Sequence, residues 1–337
     1  MKKIILPLFV LIVMNACVPR VAIDYLVVSV PEEGALKLVK YTDENESVVH
    51  PSIIDQASNG FDRANSTIFW YAPALLAISP DETKIAYLAA SNGYHNIYLK
   101  DISGGKSTIQ RTFNRQIMDM SYSPNGSNIV FTESKDNDYN IFMINASEGV
   151  AVQQLVRTNA FELSPTFSAD GKGIFFVKNE GNNYYIWSFN IESSLLTQYT
   201  EGFTPTLSPN GEDLIVTRNS RDGKFRGEIW MVNTRKGTET LILSDPKIGY
   251  SSPRISPNGK EIVCVGITEG DKSKPMNLDL YTVKIDGTNL TQLTFHGGHD
   301  VSPVWSPSGN SIFFLSQRGN KDGKYNVWKM EYSNLKK

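Results

Sequence analysis

Two histidines and a carboxylate lie within five residues of one another in the segment His296-Gly297-Gly298-His299-Asp300. Imidazole and carboxylate groups are ligands that zinc and other transition metals accept. A Gly-Gly linker does not hold the two rings on one side of a rigid element, as a helix would. The segment is therefore predicted to be a turn with exposed histidines and no bound metal.

Nucleophilic chemistry finds little support elsewhere in the chain. The sequence has no G-x-S-x-G motif, which marks the nucleophile elbow of α/β-hydrolases. Cys264 lies in an apolar run with no histidine near it, so a buried thiol is predicted rather than a catalytic one. We expect no enzyme activity and no cofactor.

The first seventeen residues have the layout of a secretory signal. Lys2 and Lys3 precede an apolar run over residues 4–13, which is too short to span a bilayer as a helix. The Ala16-Cys17 end resembles a bacterial lipobox, which implies cleavage after residue 16 and acylation of Cys17. Several acyl chains give durable membrane attachment. We expect a lipid-anchored protein of the cell envelope, in the outer membrane and facing the periplasm or the cell surface.

The charge balance excludes one class of partner. Removal of residues 1–16 leaves 31 basic and 35 acidic side chains, so the mature chain is slightly acidic. No basic stripe is evident in the sequence, and binding to nucleic acid depends on such a surface. We therefore expect no nucleic-acid partner.

Six tetrads recur along the chain at spacings of 40 to 50 residues. They are Ser79-Pro80-Asp81-Glu82, Ser123-Pro124-Asn125-Gly126, Ser168-Ala169-Asp170-Gly171, Ser208-Pro209-Asn210-Gly211, Ser256-Pro257-Asn258-Gly259 and Ser306-Pro307-Ser308-Gly309. Each has the residues of a tight turn, with glycine supplying a positive φ at the fourth place. Glu82 breaks that rule, so the first turn is expected to be slightly strained. The period is that of one four-stranded propeller blade.

The residues around each tetrad predict the strands of such a blade. An apolar run follows every tetrad, such as Ile174-Phe175-Phe176-Val177, and suits a strand that is covered on both faces. A third strand with an aromatic residue and a more polar fourth strand complete the period. The sequence thus predicts an all-β fold, a six-bladed β-propeller with four-stranded antiparallel blades.

The last repeat stops after its third strand, so another segment must supply its outer strand. We expect residues 65–71 to close the ring in this way. A hairpin over Tyr25–Val30 and Ala35–Val39 is the competing choice, and it would close the ring or begin a seventh blade. The predicted organisation is a signal peptide at 1–16, a lipidated N-terminus with an accessory hairpin at 17–60, and a propeller at 61–337.

Alternation along the inner strands places small, mildly polar side chains in the central channel. Residues two and four before each tetrad serine are expected there. The first set is Ala77, Ser121, Thr166, Thr206, Arg254 and Val304, and the second is Leu75, Asp119, Ser164, Thr204, Ser252 and Ser302. A water-filled channel is the favoured reading, and a cation held near one mouth is the alternative. The candidate channel-mouth residues are Asp119, Glu162, Arg254, His299 and Asp300.

Long loops join the second and third strands of blades 4, 5 and 6, over residues 218–227, 268–277 and 317–325. In an antiparallel blade these loops leave on the same side as the connections between blades. We call this side the long-loop face. It is predicted to contact an acidic partner, against the alternative of solvated loops, through Arg221, Lys224, Phe225, Lys272, Lys274, Arg318, Lys321 and Tyr325.

The tetrads, the apolar runs and the stretch LTQLTFHGGHDVSPVWSP from Leu290 to Pro307 resemble the TolB-type, WD40-like propeller repeat of bacterial envelope proteins. This resemblance covers about residues 65–332. It implies a non-catalytic scaffold for protein–protein interaction, with envelope proteins as partners and the membrane reached through the lipid anchor. Two alternatives stay open: a sensor or enzyme that binds a small ligand or cation at the channel mouth, and a surface lipoprotein that binds host molecules.

Overall fold

The computed structural model describes residues 26–29, 37–41, 74–91, 94–103, 108–136, 138–147, 151–181, 183–220, 227–268, 276–318 and 325–332. All regular elements within these ranges are β-strands, and they form six antiparallel sheets. The six-bladed propeller predicted from the tetrads is therefore confirmed.

Five sheets, blades 1 to 5, each consist of four consecutive strands. Blade 1 contains β3 (Leu76–Ile78), β4 (Lys84–Ser91), β5 (Tyr94–Asp101) and β6 (Thr108–Gln110). Blade 2 contains β7 (Ile117–Tyr122), β8 (Asn128–Lys135), β9 (Asp138–Asn145) and β10 (Val152–Val156). Blade 3 contains β11 (Glu162–Phe167), β12 (Gly173–Glu180), β13 (Asn183–Asn190) and β14 (Leu196–Glu201).

Blade 4 contains β15 (Phe203–Leu207), β16 (Asp213–Asn219), β17 (Gly227–Asn233) and β18 (Glu239–Leu243). Blade 5 contains β19 (Ile248–Ile255), β20 (Glu261–Thr268), β21 (Asn277–Lys284) and β22 (Thr291–Gln292). Blade 6 combines β23 (Asp300–Trp305), β24 (Ser311–Ser316) and β25 (Asn326–Glu331) with two strands from the N-terminal part of the chain, β1 (Leu26–Ser29) and β2 (Lys37–Tyr41).

The ring is closed by β2, which pairs with β25 in the register Leu38↔Met330 and Tyr41↔Val327. The prediction that residues 65–71 supply this strand is wrong, because β2 occupies the place; residues 65–71 themselves lie outside the described residues. The competing hairpin closes the ring without a seventh blade, and β1 extends the sheet beyond β2. Part of the segment 17–60 therefore belongs to the propeller.

The second strand of each blade forms the centre of the hydrophobic core. Ile129, Phe176, Val216 and Phe314 are each completely buried, as expected for strands with a neighbouring blade on both faces. Because these apolar runs fill the space between blades, they hold the inner strands at fixed positions around the channel.

Candidate functional site

The tetrads form the turns between the first and second strands and share one hydrogen-bond pattern. In blade 2, Ser123 Oγ donates to Asn125 Oδ1 at 2.7 Å and accepts from the Asn128 backbone N–H at 2.9 Å. The same two bonds occur in blades 1, 3, 4 and 5. In blade 6 the partner of the serine hydroxyl is the Ser308 hydroxyl instead of an Asn or Asp side-chain oxygen. The turns are thereby rigid and alike. We call their side of the propeller the tetrad face.

Neighbouring tetrads contact one another around the ring. A Cβ placed on Gly126 would lie 3.2 Å from Pro80 Cδ, and one on Gly309 would lie 3.7 Å from Pro257 Cδ. At the junction of blades 6 and 1, Glu82 takes the place of the glycine with φ 55°, in agreement with the expected strain. Its Oε1 accepts the Ser308 N–H at 2.7 Å. Partial burial raises the pKa of Glu82, but the bonds from Ser308 outweigh this and hold it below its usual value.

A cavity of about 420 Å³ lies in the channel and is bordered by tetrad residues. The six predicted positions two before each tetrad serine all line it: Ala77, Ser121, Thr166, Thr206, Arg254 and Val304. Of the six positions four before the serine, Asp119, Ser164 and Thr204 line it and Leu75, Ser252 and Ser302 do not. The prediction of a small, mildly polar lining is therefore confirmed for this part of the channel. Asp119 and Arg254 are the two charged residues of the lining within the described ranges.

Simple alternation fails farther up the inner strands, where β7 shifts register between Ile117 and Asp119 and four other strands share one kind of bulge. Ser164, Thr204, Ser252 and Ser302 each precede a proline and have φ between 47° and 51°. The ladder between first and second strands shifts register at the same places. A bulge of this kind redirects the following side chains. Sequence alternation therefore places side chains reliably only from the bulge to the tetrad.

Asp119 lies on blade 2 with both carboxylate oxygens engaged. Oδ1 accepts the Thr132 N–H at 3.1 Å, and Oδ2 accepts the Ser164 N–H of blade 3 at 3.0 Å. The side chain is 1% exposed, and its two hydrogen bonds link blade 2 to blade 3. Arg254, on blade 5, is half-buried, and its Nη1 donates to the Pro253 carbonyl at 2.9 Å. Desolvation lowers the pKa of Arg254 to about 10, partly opposed by the charge of Asp119.

Glu162 is completely buried at the start of β11, and it is not among the residues that line the cavity. Its Oε1 accepts hydrogen bonds from the backbone N–H of Thr158, at 3.1 Å, and from the Thr158 hydroxyl. Burial raises the pKa of Glu162 to about 7. The carboxylate thus braces the connection between blades 2 and 3. Glu162 was predicted as a channel-mouth residue, and its complete burial leaves it no exposed surface there.

Asp300, His299, Arg318 and Tyr325 form one buried cluster in blade 6. Asp300 Oδ2 accepts from Arg318 Nη2 at 2.7 Å, and His299 Nδ1 lies 3.1 Å from Tyr325 Oη. Exposure is 6% or less for all four residues, and desolvation lowers the pKa of His299. The expected exposure of His299 is therefore wrong. Arg318 and Tyr325 are likewise wrong as partner contacts, because a partner cannot reach them.

The long-loop face instead exposes aromatic side chains that sequence reasoning missed. Phe113 is 61% exposed and Phe295 is 55% exposed, each directly after a buried threonine. Thr294 Oγ1 accepts the Leu280 N–H at 2.9 Å, and Thr112 makes the equivalent bond in blade 1. Because successive side chains of extended backbone point to opposite sides, each inward threonine directs the following phenylalanine outward. The repeated Thr-Phe pair was the sequence signal.

Several predicted residues lie outside the described part of the chain: Cys17, Arg221, Lys224, Phe225, Lys272, Lys274 and Lys321. Among the residues that are described, no group of three or more His, Cys, Asp or Glu side chains could hold a metal ion. The same residues contain no helix long and apolar enough to cross a membrane. Burial raises the pKa of Cys264 to about 12, which leaves the thiol protonated and inert.

These features define a six-bladed propeller with repeated Ser-Pro-Asn-Gly turns around a central channel. The model of the TolB beta propeller domain matches residues 61–273, which is more than half of the chain. The chain therefore belongs to the TolB β-propeller family.

Individual relatives are more distant. The chain is 29% identical over 132 residues to a protein TolB homolog of Chlorobium luteolum, covering 37% of this chain and 26% of that protein. It spans less than half the length of the curated relatives described by these matches. TolB from Acinetobacter baumannii matches with a TM-score of 0.61 and 19% identity, over 84% of this chain and 71% of that one. An oligogalacturonate lyase in complex with manganese matches with a TM-score of 0.60 at 11% identity, over 96% and 100%, and therefore shares the fold alone.

Proposed function

We propose that this chain is a non-catalytic protein-interaction scaffold of the cell envelope. In this proposal acylated Cys17 holds it at the membrane, and the long-loop face docks an acidic protein partner. Membership of the TolB propeller family supports an envelope location and a role in protein interaction. The lipobox-like end at Ala16-Cys17 supports the anchor.

The main support for a docking site on the long-loop face is the exposed side chain of Phe295. It lies in the connection between blades 5 and 6, whose long loops contribute Lys272, Lys274 and Lys321. The preceding residue, Thr294, is fixed by the hydrogen bond that its Oγ1 accepts from the Leu280 N–H. The Phe295 ring therefore extends from a rigid part of the backbone. A fixed, exposed aromatic side chain is a typical anchor at a protein interface. The basic residues that the sequence places in the long loops would favour an acidic partner.

The absence of catalysis is supported by the way the acidic groups are used. Asp119, Glu162 and Asp300 each have hydrogen-bond partners within the blades, and no two of them share a site in the described part of the chain. Acid–base catalysis needs titratable groups that converge on one substrate position.

The docking face is tested by capturing partners from native envelopes with the full-length, lipidated protein. Phe295→Ala and the combined reversal Arg221→Glu, Lys224→Glu, Lys272→Glu and Lys321→Glu should each reduce capture of the partner at least tenfold. Leu195→Ala is the matched control for the aromatic, since Leu195 is 63% exposed on the rim of blade 3. It should leave capture unchanged.

A second control carries the same change of charge on the tetrad face, through Lys172→Glu, Lys236→Glu, Lys260→Glu and Lys284→Glu. These four lysines are exposed; Lys172, Lys236 and Lys260 lie in turns on that side, and Lys284 is the last residue of β21. Capture should survive this variant. Loss of the partner in the control, with retention in the long-loop reversal, would mean that the partner docks on the opposite face.

The anchor is tested separately with Cys17→Ser. This variant should move from the membrane fraction to the soluble fraction while its propeller stays folded, and mass spectrometry of the wild type should find acyl groups on Cys17. Unchanged membrane association would refute the anchor. Protease accessibility on intact cells separates a periplasmic scaffold from a surface protein that contacts host molecules.

A further inference from the structure

Among the residues that the structure describes, Arg254 is the one basic side chain that lines the channel cavity. The equivalent residues of the other blades are Ala77, Ser121, Thr166, Thr206 and Val304. We propose that the cavity binds a small organic carboxylate, with Arg254 as its counter-ion and the lining hydroxyls as its neutral hydrogen-bond partners. This site is separate from the long-loop face of the proposed function.

The fold does not require an arginine at this position. Five blades pack with a small side chain there, and the contact that blade 6 makes with residue 254 uses the main chain: Trp305 Nε1 donates to the Arg254 carbonyl at 2.9 Å. Any residue could accept that bond. The contact that holds blade 6 against residue 254 is thus made by the backbone and does not need the guanidinium.

The charge of Arg254 has no ion-pair partner in the described part of the chain. Its Nη1 bond to the Pro253 carbonyl uses one of five N–H donors. Asp119 is the nearest candidate within the cavity, but its oxygens accept backbone N–H groups of blades 2 and 3. Desolvation lowers the pKa of Arg254 to about 10, so the group stays charged at neutral pH while much of its hydration is lost. A bound anion would compensate that loss.

The surroundings favour a carboxylate over a more highly charged anion. One cation faces the cavity, and the negative charge of Asp119 opposes a second negative charge on the ligand. Ser121, Thr166 and Thr206 supply hydroxyls that suit a hydroxylated ligand. A volume of about 420 Å³ is within the usual range of small-molecule sites.

The test is isothermal titration of the mature wild-type chain at pH 7 and constant ionic strength. The probes are gluconate, lactate, acetate, inorganic phosphate and sorbitol, which has the hydroxyls of gluconate but no carboxylate. Gluconate should bind, sorbitol should not, and phosphate should bind more weakly than gluconate. Arg254→Thr, which copies the residue of blades 3 and 4, should weaken gluconate binding at least tenfold.

Two further variants keep the test independent of folding. Arg235→Thr removes an exposed arginine that is not part of the cavity lining and should bind gluconate as the wild type does. Arg254→Thr combined with Thr206→Arg moves the cation to the neighbouring blade and should restore part of the affinity. Thermal unfolding of each variant confirms that the propeller is intact.

Three results would overturn the proposal: no response to any of the carboxylates, equal gluconate affinity in Arg254→Thr, or tighter binding of phosphate than of gluconate. A fourth such result is that the wild type binds no carboxylate and Arg254→Thr no longer captures the protein partner. In that case the guanidinium would serve an acidic side chain of a protein partner rather than a small ligand.

Discussion

Replacing Asp300 by asparagine should destabilise the propeller by about 3–5 kcal/mol, because the change leaves the charge of Arg318 buried without its carboxylate. The side chains of Asp300 and Arg318 are 0% and 5% exposed, and Oδ2 and Nη2 are 2.7 Å apart. The guanidinium also donates from Nε to Ser316 Oγ at 2.9 Å and lies 5.5 Å from the ring centroids of Phe314 and Trp328. These surroundings give it no route to water.

An exposed ion pair of the same chain provides the scale for this effect. Arg235 and Glu212 are 3.3 Å apart, but their side chains are 77% and 44% exposed. Solvent screens such a pair, so Glu212→Gln should cost less than about 1 kcal/mol. Urea unfolding of the mature chain measures both changes, and a shift of the midpoint with an unchanged slope reports stability.

The comparison has a clear contrary outcome. Equal midpoints for Asp300→Asn and Glu212→Gln would mean that the buried pair is hydrated or replaceable, and the reasoning from burial would fail. Asp300→Val combined with Arg318→Met should recover more than half of the loss, because it removes both charges from the apolar site.

Three other predictions concern single positions. Burial raises the pKa of Glu162 to about 7, so the folded chain binds this proton more tightly than the unfolded chain. The free energy of unfolding should therefore fall as the pH rises from about 4.5 to 7. Glu162→Gln should flatten that part of the plot of urea midpoint against pH. Gly126→Ala should cost more than Gly181→Ala, since both sites have positive φ but only Gly126 has a proline within 4 Å; equal urea midpoints would contradict this. Val39→Pro should open the ring and lower the melting temperature, because β2 lies between two strands. Val27→Pro should be tolerated, because β1 is the outer strand. Similar melting temperatures for the two variants would contradict closure of the ring by β2.

The tetrads and the strands that follow them were predictable because their causes are local. A serine, a proline or alanine, an Asn or Asp and a glycine satisfy one another within six residues, as the bonds of Ser123 to Asn125 and Asn128 show. The lining by Thr206 and Arg254 was predictable for the same reason, since both lie two residues before a rigid turn.

The roles of Arg318 and Tyr325 depend on what surrounds them. Both stand at the ends of a long, polar loop, where exposure is the ordinary expectation. The folded blade 6 places Arg318 against Asp300 and Tyr325 against His299, contacts that link residues 18 and 26 positions apart. No local pattern reports such a pairing. On the long-loop face the structure instead exposes Phe113 and Phe295.

The sequence by itself determined the repeat, its six copies and the residues that face the channel near the tetrads, because each follows from short-range turn chemistry and alternation. Whether a seventh blade exists was left open by the sequence. Only the tertiary structure decided which segment closes the ring. The strands Lys37–Tyr41 and Asn326–Glu331 are almost 300 residues apart, and residues 65–71 had a similar apolar pattern. A free strand edge accepts any backbone that reaches it, so the choice depends on the geometry of the nearly closed ring.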